Sequence, residues 1–102
     1  MTDMNQVKEM LENTVAKNAK AFELQNSFYQ TFTQRQGEAW AQLADARVDS
    51  LKEIAASTSI EDAFAKNTEF EKQTREGFEM LHKANVQAFD EFTNALKKLY
   101  SV

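Results

Sequence analysis

The chain has no cysteine, no proline and only two glycines in 102 residues. Without cysteine there is no disulfide, no thiolate nucleophile and no cysteine metal site, which fits a reducing compartment. Without proline, and with glycine nearly absent, few residues force a turn, so long helices are permitted. Long hydrophobic runs are missing too. The longest, such as Ala39–Trp40–Ala41 and Ile54–Ala55–Ala56, are three residues, against the ~20 that a spanning helix needs. The opening stretch MTDMNQVKEMLENT carries acids early and no apolar core of the Sec-signal kind. No transmembrane segment is expected, and the expected location is cytoplasmic.

A charge excess of one sign is also lacking. The net charge is −4, and residues 1–56 and 57–102 each carry six Lys/Arg and eight Asp/Glu. Phosphate binding needs a cationic stripe that displaces counterions, so no nucleic-acid partner is expected, and electrostatic docking on anionic lipid is disfavoured for the same reason. What the chain does have is phenylalanine: eight, with one Trp and two Tyr, against two isoleucines, Ile54 and Ile60.

Those apolar residues fall at helical spacing. In the first half the stripe runs Met4, Val7, Leu11, Val15, Ala19, Phe22, Tyr29, Phe32, Trp40, Leu43, Leu51 and Ile54. In the second it runs Ile60, Phe64, Phe70, Thr74, Phe78, Leu81, Asn85, Phe92, Leu96 and Leu99. Steps of three and four mark one face of a helix, and alternation at period two is nowhere sustained. Gln25, Gln36 and Arg47 dilute the first stripe, and Phe28 and Phe89 lie off its narrow track. Such a face is wide and soft, unlike the Leu/Ile/Val seam of a dedicated coiled coil.

The pattern breaks once, at Ser57–Thr58–Ser59, inside the stretch IAASTSIEDAFAKNTEF. Small hydroxylated side chains compete with helix through local hydrogen bonds. Ser59 with Asp62, or Thr58 with Glu61, makes a capping box. The sequence therefore predicts an all-α chain of one domain, residues 1–102. A helix over about 3–56 and another over about 60–100 are joined by a break at 57–59 that serves as hinge and cap. Folded back as an antiparallel hairpin, partners at one level have numbers summing to about 114. Phe22 then meets Phe92, Trp40 meets Thr74 and Gly37 meets Gly77, the glycine pair suggesting a close approach. Two helices bury one stripe each, so a second copy or a target surface is expected to cover the remainder, and assembly into an oligomeric bundle follows. The break is expected to act either as a tight turn or as a pivot on which the helices open.

Catalytic chemistry finds no foothold. His82 is the only histidine, with Glu79 and Glu76 one and two turns before it, and zinc needs three or four ligands. Glu79–Lys83 reads as ordinary i, i+4 support. No nucleophile beside a base and no phosphate-cradling glycine loop occurs. No enzyme activity, cofactor or metal is expected.

The segment AWAQLADARVDSLKEIAASTSIEDAFAKNTEFEKQTREGFEMLHKANVQAFDEF resembles the phasins, small helical proteins that coat polyhydroxyalkanoate storage granules in bacteria. The likeness covers about residues 20–95. It consists of an Ala-rich amphipathic helix, the break and acidic helix start of STSIEDAFAKNTEF, the aromatic EF…REGFE, and ANVQAFDEF. It implies a non-enzymatic protein on the surface of cytoplasmic granules. Such a protein controls granule size and coalescence, is oligomeric when free, and in some members acts on the polymer synthase. The chain differs from many members in lacking an Ala/Lys/Pro-rich tail. The residues expected to contact polymer or a second copy are Phe22, Phe32, Trp40, Phe64, Phe70, Phe78 and Phe92, with Ser57, Thr58 and Ser59 as hinge and cap. The alternative is a helical oligomerisation module that binds only protein partners.

Overall fold

A computed structural model describes residues 3–101. Met1, Thr2 and Val102, the ends of the expected domain, lie outside the described residues. Two helices account for nearly all of it, α1 (Met4–Ala55) and α2 (Ile60–Tyr100), paired antiparallel as a helical hairpin. Among the described residues there is no strand. The helix ends are built from the residues that break the apolar pattern. Asp3 Oδ1 accepts from the Asn5 amide at 3.1 Å and caps α1. At the start of α2, Ser59 Oγ accepts from the Asp62 amide at 3.0 Å. Of the two pairs that the sequence offered as capping boxes, Ser59 with Asp62 supplies the cap, through this one bond, and the exposed Thr58 side chain caps nothing.

Contacts gather in two compact units. One joins residues up to Thr31 with those from Gln87 onward; the other spans Phe32–Val86 and contains the turn. In both units α1 packs on α2 along a narrow seam. On α1 the half-buried positions include Val7, Ala21, Leu24 and Phe28 in the first unit and Phe32, Arg35, Gln36, Ala39, Leu43, Arg47 and Ile54 in the second, with Ser50 buried. On α2 they include Ala63, Asn67, Phe70, Thr74, Leu81 and Asn85 in the second unit and Ala88, Phe92, Leu96 and Leu99 in the first. Ser50 is the only buried residue among those described, and its hydroxyl has no hydrogen-bond partner. No large apolar side chain among the described residues is fully buried.

The pairing register differs from the sequence expectation by about one helical turn or more. Phe92 stacks on Phe28, ring centroids 4.9 Å apart, rather than meeting Phe22. Trp40 meets Phe78 edge-on at 5.7 Å rather than Thr74. The shift is seen at the ring pairs, while Arg47 pairs with Asn67 at the expected level. The glycine expectation fails as well. A Cβ built on Gly37 or Gly77 would meet nothing within 4 Å, so neither glycine marks a close approach inside the chain.

Candidate functional site

The seam is more polar than its place suggests. In the Phe32–Val86 unit, Arg35 Nη1 donates to Asn85 Oδ1 at 3.2 Å and to the Ala84 carbonyl at 3.4 Å. Asn85 Nδ2 in turn donates to Gln36 Oε1 at 3.3 Å. Nearer the turn, Arg47 Nη1 donates to Asn67 Oδ1 at 3.1 Å, and its guanidinium lies 4.8 Å over the Phe70 ring. In the unit of the chain ends, Tyr100 donates its hydroxyl to Asn18 Oδ1 at 2.7 Å. Gln36, Arg47 and Asn85 dilute the apolar stripe in the sequence, and they are the residues that tie the helices together. Directional bonds of this kind fix register, because a one-residue slip leaves part-buried polar groups unpaired.

The turn has its own network. Lys66 Nζ donates to the Glu53 carbonyl at 3.1 Å, satisfying one of the last carbonyls of α1, and pairs with Asp62 Oδ2 at 3.1 Å. The hydrogen bond from Lys66 chiefly, its charge, and bonding from the Thr58 backbone and the Ser57 hydroxyl hold the Asp62 carboxyl below its ordinary pKa, against a smaller opposing effect of desolvation. The expected hinge residues are therefore placed here with different roles. Ser59 caps, Ser57 donates to the Glu53 carbonyl at 3.4 Å, and Lys66, which the sequence reading missed, joins the two helices.

The expected apolar site residues divide into two sets. Phe32, Phe70 and Phe92 are half-buried in the seam. Phe22, Trp40 and Phe64 stand 64%, 61% and 69% exposed, and Phe78 is exposed at its margin, against Trp40. Phe28, read as off the track, is a seam residue with the Phe92 stack on it and Phe89 edge-on at 6.0 Å. The stripe read from α1 lies on the seam only in part: Phe32, Leu43 and Ile54 are on it, whereas Leu11, Val15, Phe22 and Tyr29, and separately Trp40 and Leu51, lie beside it, about a quarter-turn round the helix. In the Phe32–Val86 unit the contact of Trp40 with Phe78 puts Trp40 on the same flank as the exposed rings of α2 in that unit, Phe64 among them. This flank is the candidate site: a row of large, wet, apolar side chains next to a hydrogen-bonded seam.

The opposite flank of that unit carries a smaller feature, a cavity of about 190 Å³ lined by Ala39, Gln42, Ala46, Phe70, Gln73 and Gly77 among others. His82 lies in a shallow groove with Arg75, Phe78, Glu79 and Lys83. Among the described residues no group of three or more His, Cys, Asp or Glu could hold a metal ion, and no helix is long and apolar enough to cross a membrane. No family model, curated protein or solved structure matches the chain.

Proposed function

We propose that the chain is a non-enzymatic coat protein of hydrophobic polyester granules of the polyhydroxyalkanoate kind. It acts at the granule surface in the cytoplasm, where it limits coalescence and size and meets the polymer synthase. This is the function that the resemblance to phasins implies. The observation that carries it is the wet apolar flank. At about 200 Å² per aromatic ring, covering the exposed fractions of Trp40 and Phe64 alone removes roughly 260 Å². At about 25 cal/mol per Å² that contributes ~6 kcal/mol before ordering and association costs. A featureless apolar surface can draw on this energy without a pocket. The net charge of −4 on the remaining surface would then keep coated particles apart.

The test is adsorption to polyester beads by the wild type and by a variant with Phe22, Trp40, Phe64 and Phe89 changed to Ser. These four are exposed, whereas Phe70 and Phe92 lie in the seam and their loss would damage the hairpin. The wild type is expected to coat beads equally at low and high salt, since apolar burial is not screened, and the variant to lose the coat. Removal by salt, or coating by the variant at the wild-type level, would refute adsorption through the flank. The second reading, a helical module that binds only protein, is favoured by the exposed apolar side chains of the Phe32–Val86 unit, which a protein partner would cover equally well. It becomes the better account if the wild type ignores the beads yet self-associates.

A further inference from the structure

The cavity on the flank away from Trp40 lies wholly within the Phe32–Val86 unit. Its floor is half-buried, Ala39 and Leu43 from α1 with Phe70 and Thr74 from α2. Its rim is exposed, Gln42 and Ala46 from α1 with Gln73 and Gly77 from α2, and the Phe78 ring closes one end. The floor residues Ala39 and Thr74 are too short to fill the seam at this level, and about 190 Å³ is left between the helices. The bonds of Arg35 with Asn85 and of Arg47 with Asn67 brace the helices on either side of the gap. Both rings are held from outside it. The Arg47 guanidinium covers Phe70 at 4.8 Å, and Trp40 packs edge-on against Phe78 at 5.7 Å. Walls set in this way lower the ordering cost of binding.

Size and polarity narrow the occupant. An apolar cavity of about 150 Å³ holds a benzene ring, so this one has room for a single ring with a short substituent. Among the described residues no charged side chain lines it. Gln73 Nε2 is already committed to Glu69 Oε1 at 3.2 Å, which leaves Gln73 Oε1 to accept, while the Gln42 amide and the Thr74 hydroxyl can donate. A hydroxyl group both donates and accepts, and so answers both. An ester or ketone only accepts, and a carboxylate would meet Glu69 beside Gln73.

We propose that this cavity binds a small, neutral aromatic alcohol. The ring lies between Phe70 and Phe78, where offset and edge contacts between rings are favourable. The hydroxyl sits at the glutamine rim, donating to Gln73 and accepting from Gln42 or Thr74. The proposal does not rest on the polyester reading, because the cavity lies on the flank away from Trp40 and a protein adsorbed through the other flank would keep it open.

Benzyl alcohol is the probe, titrated into the isotope-labelled full chain and followed by amide NMR. Saturable shifts are expected at the side-chain amides of Gln42 and Gln73 and at the Gly77 backbone, with a Kd on the order of 1 mM for a molecule of this size. The amides of Phe22 and Phe64, whose rings are exposed, should stay still. Toluene at the same concentration lacks the hydroxyl and should give shifts about fivefold smaller, and benzoate none. Gly77→Leu and Ala46→Leu fill the cavity from opposite helices. A Cβ at Gly77 meets nothing within 4 Å and Ala46 is exposed, so helix content should hold while each variant weakens binding at least about tenfold. Shifts that do not saturate, shifts equally large at Phe22 and Phe64, or wild-type affinity in the leucine variants would each overturn the site. Toluene or benzoate binding as well as benzyl alcohol would overturn the ligand class. If one leucine variant fails to fold, the other still decides.

Discussion

Replacing Arg47 by alanine asks whether the polar seam holds the helices in register or merely decorates it. The side chain makes two interactions with α2. Its bond to Asn67 is 3.1 Å long and part-buried, and hydrogen bonds to a charged group contribute about 1.5–3 kcal/mol. Its guanidinium lies 4.8 Å from the centre of the Phe70 ring, which adds ~0.5–1 kcal/mol at a partly exposed site. Arg47 is only half-buried, so the lower ends apply, and the expected loss is about 2 kcal/mol. Arg47→Lys should lose about half of that, because the charge stays near Phe70 while the planar fork is gone. Urea unfolding followed by far-UV circular dichroism measures both, at one fixed protein concentration because self-association adds to apparent stability. A double-mutant cycle with Asn67→Ala isolates the pair, with an expected coupling of ~0.5–1.5 kcal/mol. If Arg47→Ala falls within about 0.5 kcal/mol of the wild type and the cycle shows no coupling, the seam is held by its apolar contacts alone.

The other consequences of the hairpin can be read with the same unfolding measurement. Gly77→Ala should raise stability by ~0.5–1 kcal/mol, because a new Cβ meets nothing within 4 Å and the helix gains propensity; a loss would mean that the cavity wall has no room. Ser59→Ala should cost about 1 kcal/mol and Thr58→Ala close to nothing, since only Ser59 caps α2; equal costs would contradict the cap assignment. The Asp62 carboxyl is held below its ordinary pKa, first by the hydrogen bond from Lys66. Its contribution is therefore complete above the ordinary carboxylate pKa and is lost as pH falls through the depressed value. Hydrogen exchange at the turn should accelerate in that acid window, and the acceleration should vanish in Lys66→Met.

The helices and their break were legible because their signals are local. Spacing of apolar residues over many turns specifies helix, and three hydroxylated residues followed by Glu61 and Asp62 specify a stop and a start. The site was legible only in part, because exposure depends on azimuth, and a stripe of wide apolar positions leaves the azimuth of the seam open by about a quarter-turn. On α2 the seam was found: Phe70, Thr74, Leu81, Asn85 and Phe92 all lie in it. On α1 it was found only in part: Phe32, Leu43 and Ile54 lie in it, whereas Phe22, Tyr29 and Trp40 were chosen over the smaller seam residues Ala21, Leu24 and Ala39. Arg35, Asn67 and Lys66 were invisible for a different reason. A polar residue in a helix looks solvated until its partner is known, and these partners lie 13 to 50 positions away.

Separating a polar seam from an apolar flank bears on whether the hairpin must open to meet a surface. If the apolar residues filled the seam, adsorption would require the helices to part, and the break at 57–59 would be a pivot. The largest exposed rings lie beside the seam instead, already wet, while the seam holds hydrogen bonds that opening would break with no partner on a polyester surface to replace them. Opening would therefore leave Arg35, Arg47, Asn67 and Asn85 facing an apolar phase, where unpaired polar groups are costly. The expected outcome is a hairpin that stays closed on a polyester surface. A spin-label pair at exposed Gln25 and Gln87, on facing helices of one unit, measures this, with labelled protein diluted in unlabelled so that contacts between copies do not contribute. The pair should lie ~15–25 Å apart in solution, about two helix diameters, and should keep that distance on polyester beads. A distance that lengthens on the beads towards the roughly 90 Å of a single continuous rod would show that the seam gives way, and would return the break to the role of a pivot.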